Sequence, residues 1–337
     1  MKSNQKPNRT KAAVPEFSLP VVWKESMQFC GPYPVPEKRF YKLETLQNAV
    51  RKAVNERDRF IFSTLQTYLG GAPGSIKCDL VYEDAIRLVF HVNTARKAGK
   101  RTVFRLVVAK NHEECSKKLL GEYEALKALH ARAPSQVVEP CGHGIIYLPD
   151  RHHRREINRE VFGYFTKELP GVSPLYVASS TQLAPHALTP LRFSKKESEL
   201  LRLALTRLTV SLYDEDGATG LDPAGLYPEC LAVSDNSRKM DVLVLVQCRQ
   251  LRKRLYRYKL IHNLLFGTLQ TGAAVFPLAP ARPDHFFQAL CDVVPEEKAR
   301  AWCQTFLDKV RHINSHEHEA VLPGREYFAV LQELIRQ

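Results

Sequence analysis

No stretch of this chain approaches the run of about 20 apolar residues that spans a bilayer, and the basic opening segment MKSNQKPNRTKAAVPEF leads into no apolar stretch either. The opening therefore does not read as a secretory leader. It reads as a short disordered tail, and the protein is expected in the cytoplasm. Glycine is sparse, at 16 residues, and the segment 94–101 (NTARKAGK) that could cradle phosphates holds one. There is no phosphate-binding P-loop, no dinucleotide fingerprint, no G-x-S-x-G and no H-E-x-x-H, which excludes the simplest nucleotide, hydrolase and metalloprotease readings. The eight cysteines (30, 78, 115, 141, 230, 248, 291 and 303) never form a C-x-x-C pair. Reduced, mostly buried thiols are expected. Cys141-Gly142-His143, His152–His153 and His316-Glu317-His318 lack a second pair at zinc spacing, so no metal site is expected. Internal repeats are also lacking.

Carboxylates are outnumbered, 36 Asp and Glu against 49 Lys and Arg, for a net charge of +13. The excess is local. Arg96, Lys97, Lys100 and Arg101 form one cluster, and Arg151, Arg154 and Arg155 flank two histidines. The densest run is Arg249, Arg252, Lys253, Arg254, Arg257 and Lys259. Such a surface attracts a phosphorylated or otherwise anionic ligand, a glycan phosphate, an acidic protein partner or an anionic membrane surface. Arg249, Arg252, Arg254 and Arg257 are the candidate contacts. Nucleic acid is the weaker match. No RNP, helix-turn-helix or zinc-finger pattern accompanies the run, and Tyr256 and Tyr258 are its only aromatics.

Along the chain, residues 42–68 have helix-compatible spacing and end at Gly70-Gly71. Residues 76–93 are β-rich, 102–110 form a compact strand and 113–131 a helix. One or two short strands at 136–148, broken at Gly142 and Gly144, precede a basic loop at 149–159 and a strand at 161–169 closed by Pro170-Gly171. The character then turns helical. A strong amphipathic helix spans 195–213, capped by Ser194. Two short strands follow at 229–233 and 240–247, then helices at about 256–269, 283–293, 295–313 and 323–336. Strands first and helices after imply an α+β protein of two lobes. The expected divisions are a basic tail at 1–15, a helical extension at 16–75, a β-rich lobe with one helix at 76–170, a linker at 171–194 and a helical lobe at 195–337.

Lys110 ends the apolar strand VFRLVVAK, where an ammonium is costly to bury without an anion. In the next helix, Leu119, Leu120, Tyr123, Leu126 and Leu129 form one apolar arc, and Glu122 lies inside it. A Lys–Glu pair at this spacing is what a clamp on nucleotide phosphates requires.

The element order together with several motifs resembles the protein-kinase-like superfamily, and most closely the lipopolysaccharide core kinases that act on heptose and Kdo. GEYEALKAL (121–129) resembles their Glu-bearing helix, and YFTKELPGVSPLYV (164–177) their last strand and hinge. GLYPECLAV (225–233) is similar to the catalytic loop D-L-Y-x-x-[HN]-x-L-[LV]. LVQCRQLRKR (245–254) is similar to the metal-binding strand and its basic tail, and YKLIHNLLFGTL (258–269) to the helix beyond. The resemblance covers about residues 80–270 and implies a two-lobed kinase-like fold with ATP, held through Lys110 and Glu122, as its cofactor.

The departures are chemical. The base position of the family falls on Gly225, the metal-binding Asn/His on Cys230, and the metal-binding Asp on Leu245, or on Gln247 if the register slips by two. None of these side chains does the corresponding task, so Mg has no strong protein anchor. The first reading is therefore a catalytically degenerate kinase-like protein, a pseudokinase, in a cell-envelope glycan or regulatory setting. The alternative is an active, atypical phosphotransferase on a glycan or small molecule, with Asp222, three residues before Gly225, as its base.

Overall fold

The computed structural model describes residues 50, 52–54, 58–73, 75–83, 86–95, 101–110, 114–152, 155–168, 172–174, 195–223, 226, 230–234, 243–246, 248, 251–271, 274–278, 280–314 and 325–337. The expected N-terminal tail, most of the linker, the Ser194 cap, Gly225, Gln247 and Arg249 lie outside these residues.

Within the helical stretch expected at 42–68, residues 50 and 52–54 are helical and a separate helix, α1, spans Arg59–Leu69. Asp58 breaks the periodic run: its Oδ1 accepts hydrogen bonds from the N–H groups of Phe60 (3.0 Å) and Ile61 (3.2 Å), an N-cap. Gly70, with φ of 63°, closes the other end. Five strands follow: β1 (Ser75–Glu83), β2 (Arg87–Ala95), β3 (Arg101–Ala109), β4 (Glu139–His152) and β5 (Arg155–Lys167). They form one antiparallel sheet in the order β1-β2-β3-β5-β4, with helix α2 (Glu114–Arg132) between β3 and β4. The expected basic loop at 149–159 is instead the far end of the long β4–β5 hairpin, in register from Ile145↔Phe162 to His152↔Arg155.

Both faces of this sheet are covered, and strand alternation decides what each carries. Leu88, Phe90 and Val92 of β2 and Phe104, Leu106 and Val108 of β3 pack against Ile61, Leu65 and Leu69 of α1. Gly144 lets α1 lie close, because a Cβ there would stand 2.6 Å from the Phe60 ring. The other face carries Val89, Val107, Ala109, Phe162 and Tyr164, packed with Leu119, Tyr123 and Leu126 of α2.

After the short strand β6 (Val172–Pro174), helix α3 (Lys195–Ser211) begins the second lobe. It is buried nearly all round, as a central helix must be. Leu201, Ala204, Leu205 and Leu208 join the core that continues from α2, while Leu203 and Val210 join a second core. Strand β7 (Leu231–Ser234) pairs with β6 on one side and with β8 (Leu243–Leu245) on the other. Helix α4 (Arg257–Phe266), a hairpin of β9 (Thr268–Thr271) and β10 (Ala274–Pro277) that the sequence did not reveal, and helices α5 (Pro283–Cys291), α6 (Glu296–Asn314) and α7 (Arg325–Arg336) complete it. Trp302, Phe286 and Phe306 fill the second core. Arg202 of α3, buried, donates to the carbonyls of Leu264 (2.7 Å), Gly267 (3.1 Å) and Leu278 (2.5 Å), binding the end of α4 to the segment after β10. This is the α+β layout expected from the sequence, a β-rich lobe with one packed helix followed by a mainly helical lobe. No helix among the described residues is long and apolar enough to cross a membrane.

The lobes meet along the segment after α2. The Leu245 N–H donates to Gln136 O (2.8 Å) and the Val138 N–H to Leu245 O (3.0 Å), so residues 136–138 add to β8. Arg132, near the end of α2, pairs with Asp214 at 3.0 Å. A hydrogen bond from the Gly217 N–H, then Arg132, holds the Asp214 carboxyl below its ordinary 3.8. Its folded value lies under its unfolded one, so its contribution to stability is present above pH 3.8 and is lost as pH falls through the depressed value. Asp214→Asn is thus expected to lower stability at neutral pH only. Urea denaturation in acid should bring variant and parent together.

Candidate functional site

The face of the sheet under which α2 packs holds the chemistry. Arg87 opens β2 directly opposite Ala109 of β3. Its guanidinium forms an ion pair with Glu122 Oε2, both side chains being 1% exposed. The other oxygen, Glu122 Oε1, accepts a hydrogen bond of 2.6 Å from the Tyr164 hydroxyl on β5. Burial, then the nearby Glu122, pushes the Tyr164 phenol well above its ordinary 10, so it stays a donor. The helical-wheel placement of Glu122 on the buried face of α2 agrees with the structure. Glu122 also has a partner that the helical wheel does not reveal. Val107 and Ala109 face α2 while Val108 faces α1, and a shift of one residue changes the face of a strand. Lys110 lies one residue past Ala109, at a bend, buried at 4% exposure, with its N–H bonded to Ile86 O at 2.9 Å. Arg87 is a cation brought to Glu122 that the sequence reading missed.

Asp222, the candidate base, has both carboxylate oxygens engaged within the second lobe. Asn263 of α4 donates to Oδ1 at 2.6 Å, and Arg252 forms an ion pair with Oδ2. The backbones of Gly220 and Arg252 exchange hydrogen bonds of 2.9 and 3.2 Å, which fixes this junction. Asp222 thereby fastens the loop after α3 to the loop before α4. Cys230 and Leu245, at two of the expected metal positions, are both buried in the core shared with α2. Among the described residues no three His, Cys, Asp or Glu side chains gather as a metal site.

The basic run is partly spent on the fold. Arg252 is held by Asp222, and Arg257 pairs with Glu215 at 3.0 Å, an acid that Lys298 also binds at 2.5 Å. Arg254 is exposed at a turn with φ of 58°. The Tyr256 ring, exposed, stacks on Tyr258 at 6.3 Å. Of the four arginines singled out, Arg254 is the described one that projects from the run without a carboxylate partner.

No protein-family model matches the chain, and the curated proteins give no match. Solved structures resemble it at low levels. One, from Haemophilus somnus 129PT and assigned as a fructosamine-3-kinase, is 11% identical over 82% of this chain and 96% of that one, with a TM-score of 0.34. Another, a Stt7 homolog from Micromonas algae soaked with ATP, is 15% identical over 70% of each chain, also at 0.34.

Proposed function

We propose that this chain is a catalytically degenerate kinase-like protein that acts by binding, in a regulatory or cell-envelope glycan setting, rather than by phosphoryl transfer. The observation that carries the reading is that the two candidate carboxylates, Glu122 and Asp222, are each held by partners of the fold. Glu122 is held by Arg87 and Tyr164, and Asp222 by Arg252 and Asn263. Phosphoryl transfer needs a metal bridge and an oriented nucleophile, and the buried Leu245 and Cys230 supply neither. Whatever affinity for ATP remains would come from the cations of the first lobe, Arg87 and Lys110.

Purified protein given ATP with Mg or Mn is expected to release or transfer γ-phosphate at the background rate. Asp222→Asn is expected to leave that rate unchanged while lowering the melting temperature, because Arg252 loses its ion pair. A parent rate well above background that Asp222→Asn abolishes would establish the atypical phosphotransferase instead. An ATP-induced rise in melting temperature that disappears in Lys110→Met would mark a retained nucleotide site.

A further inference from the structure

The sheet face toward α2 holds a second buried guanidinium. Arg105 stands in the middle of β3, opposite His91 of β2 on one side and Thr166 of β5 on the other. Phe104 and Leu106 beside it pack on α1, so alternation turns Arg105, His91 and Thr166 to the opposite face. Arg105 is 7% exposed and Thr166 1%. The Arg105 Nε–H has no hydrogen-bond partner. A guanidinium stays charged at any ordinary pH, and a buried charge without a partner costs several kcal/mol. Among the described residues, Glu168 is a carboxylate near enough for Arg105 to influence it. Glu168 follows the end of β5, and its ionisation is opposed first by burial and favoured only secondarily by Arg105. Its Oε1 is turned to His91 Nε2 at 3.3 Å. The fork of Arg105 is left open.

We propose that the row His91–Arg105–Thr166 is a binding site for a small oxyanion, a carboxylate or a phosphate monoester. The Nε–H and one Nη–H of a guanidinium present two parallel donors that match two oxygens of such a group. The Thr166 hydroxyl is a third donor. Cross-strand neighbours stand about 4.5–5.5 Å apart at Cβ, so the three side chains meet a single ligand of a few atoms. The His91 and Glu168 side chains, 28% and 23% exposed, give the row its approach from solvent. Glu168 beside it disfavours a second negative charge close by, so a ligand presenting one oxyanion to the row is the better fit. The inference stands on the geometry of β2, β3 and β5 and does not need the catalytic reading above.

The test is thermal unfolding of the full chain with inorganic phosphate, glycerol 3-phosphate or succinate, at ionic strength matched with NaCl. A saturable rise of about 2–4 °C at ten times the dissociation constant is expected from at least one of them. The phosphate arms and the succinate arm tell the two oxyanions apart. The rise should vanish in Arg105→Met and fall sharply in Arg105→Lys, which keeps the charge but loses the fork. It should persist in Lys196→Gln, which removes an exposed charge elsewhere. Without ligand, Arg105→Met should melt at or above the parent, because it removes an uncompensated buried charge. The proposal is overturned if no probe shifts the parent, if the shift survives Arg105→Met, or if ligand-free Arg105→Met melts well below the parent or fails to fold.

Discussion

Arg87→Met is expected to destabilise the protein by about 3–5 kcal/mol, because it leaves the Glu122 carboxylate buried with its cation removed. Glu122→Leu should cost a similar amount for the mirror reason, since it strands a guanidinium that is 1% exposed. The double variant Arg87→Met/Glu122→Leu should recover most of the loss. Two charges taken out of water repay their desolvation only through each other, and an apolar pair of similar volume is often as stable. Chemical denaturation of the four proteins gives the coupling energy as a double-mutant cycle. A pair exposed to solvent would show coupling below about 1 kcal/mol, and such a value would remove Arg87–Glu122 from the centre of the first lobe. Tyr164→Phe belongs to the same network. It should cost about 1.5–3 kcal/mol, the range for a hydrogen bond to a charged group, because one carboxylate oxygen loses its donor while the ring stays in place.

That pair also marks where the sequence stopped being legible. Glu122 could be found because a helical wheel needs no partner: five apolar residues fix the buried arc, and a carboxylate inside it stands out. Its cation could not be found, because the partner depends on which face of β3 looks at α2 and on where β2 begins. The segment joining β1 to β2 contains Asp84, Ala85 and Ile86, with no glycine or proline to announce a turn. Residues 76–93 therefore read as one β-rich stretch, and Arg87 looked like an unremarkable charge within it. The long β4–β5 hairpin was hidden in a similar way. Pro149, Asp150 and the surrounding basic residues have loop-like composition, while the ladder they join is set by pairing with each other. Arg105 did carry a signal, a lone polar residue inside the apolar run VFRLVVA. Its position at an alternate site marks the sheet face that the aliphatic neighbours leave.

Restoring a kinase-type metal ligand at Leu245 is expected to damage the fold before it restores any chemistry. Leu245 is fully buried, belongs to the core shared by α2, α3 and the β7–β8 hairpin, and carries the backbone bridge between the lobes. Leu245→Asp loses the packing of a buried leucine, about 2–5 kcal/mol. It also places a carboxyl in apolar surroundings, which raise the pKa of such groups by up to about 3–5 units, at about 1.4 kcal/mol per unit. The sum rivals the entire 5–15 kcal/mol that holds a typical domain together. Leu245→Ala separates the two parts, since it makes the cavity without adding the charge. The pH dependence fixes the sign. The introduced acid has a folded-state value above its unfolded one, so the variant is least penalised in mild acid and loses stability as pH rises through the raised value. Leu245→Ala should show no such slope relative to the parent. If Leu245→Asp melts like Leu245→Ala at neutral pH, the new carboxylate has found a cation or water, and the lobe seam at β8 is far more open than its packing implies. If Mg then raises its melting temperature, position 245 can hold a metal after all, and the degenerate reading of the second lobe loses one of its supports.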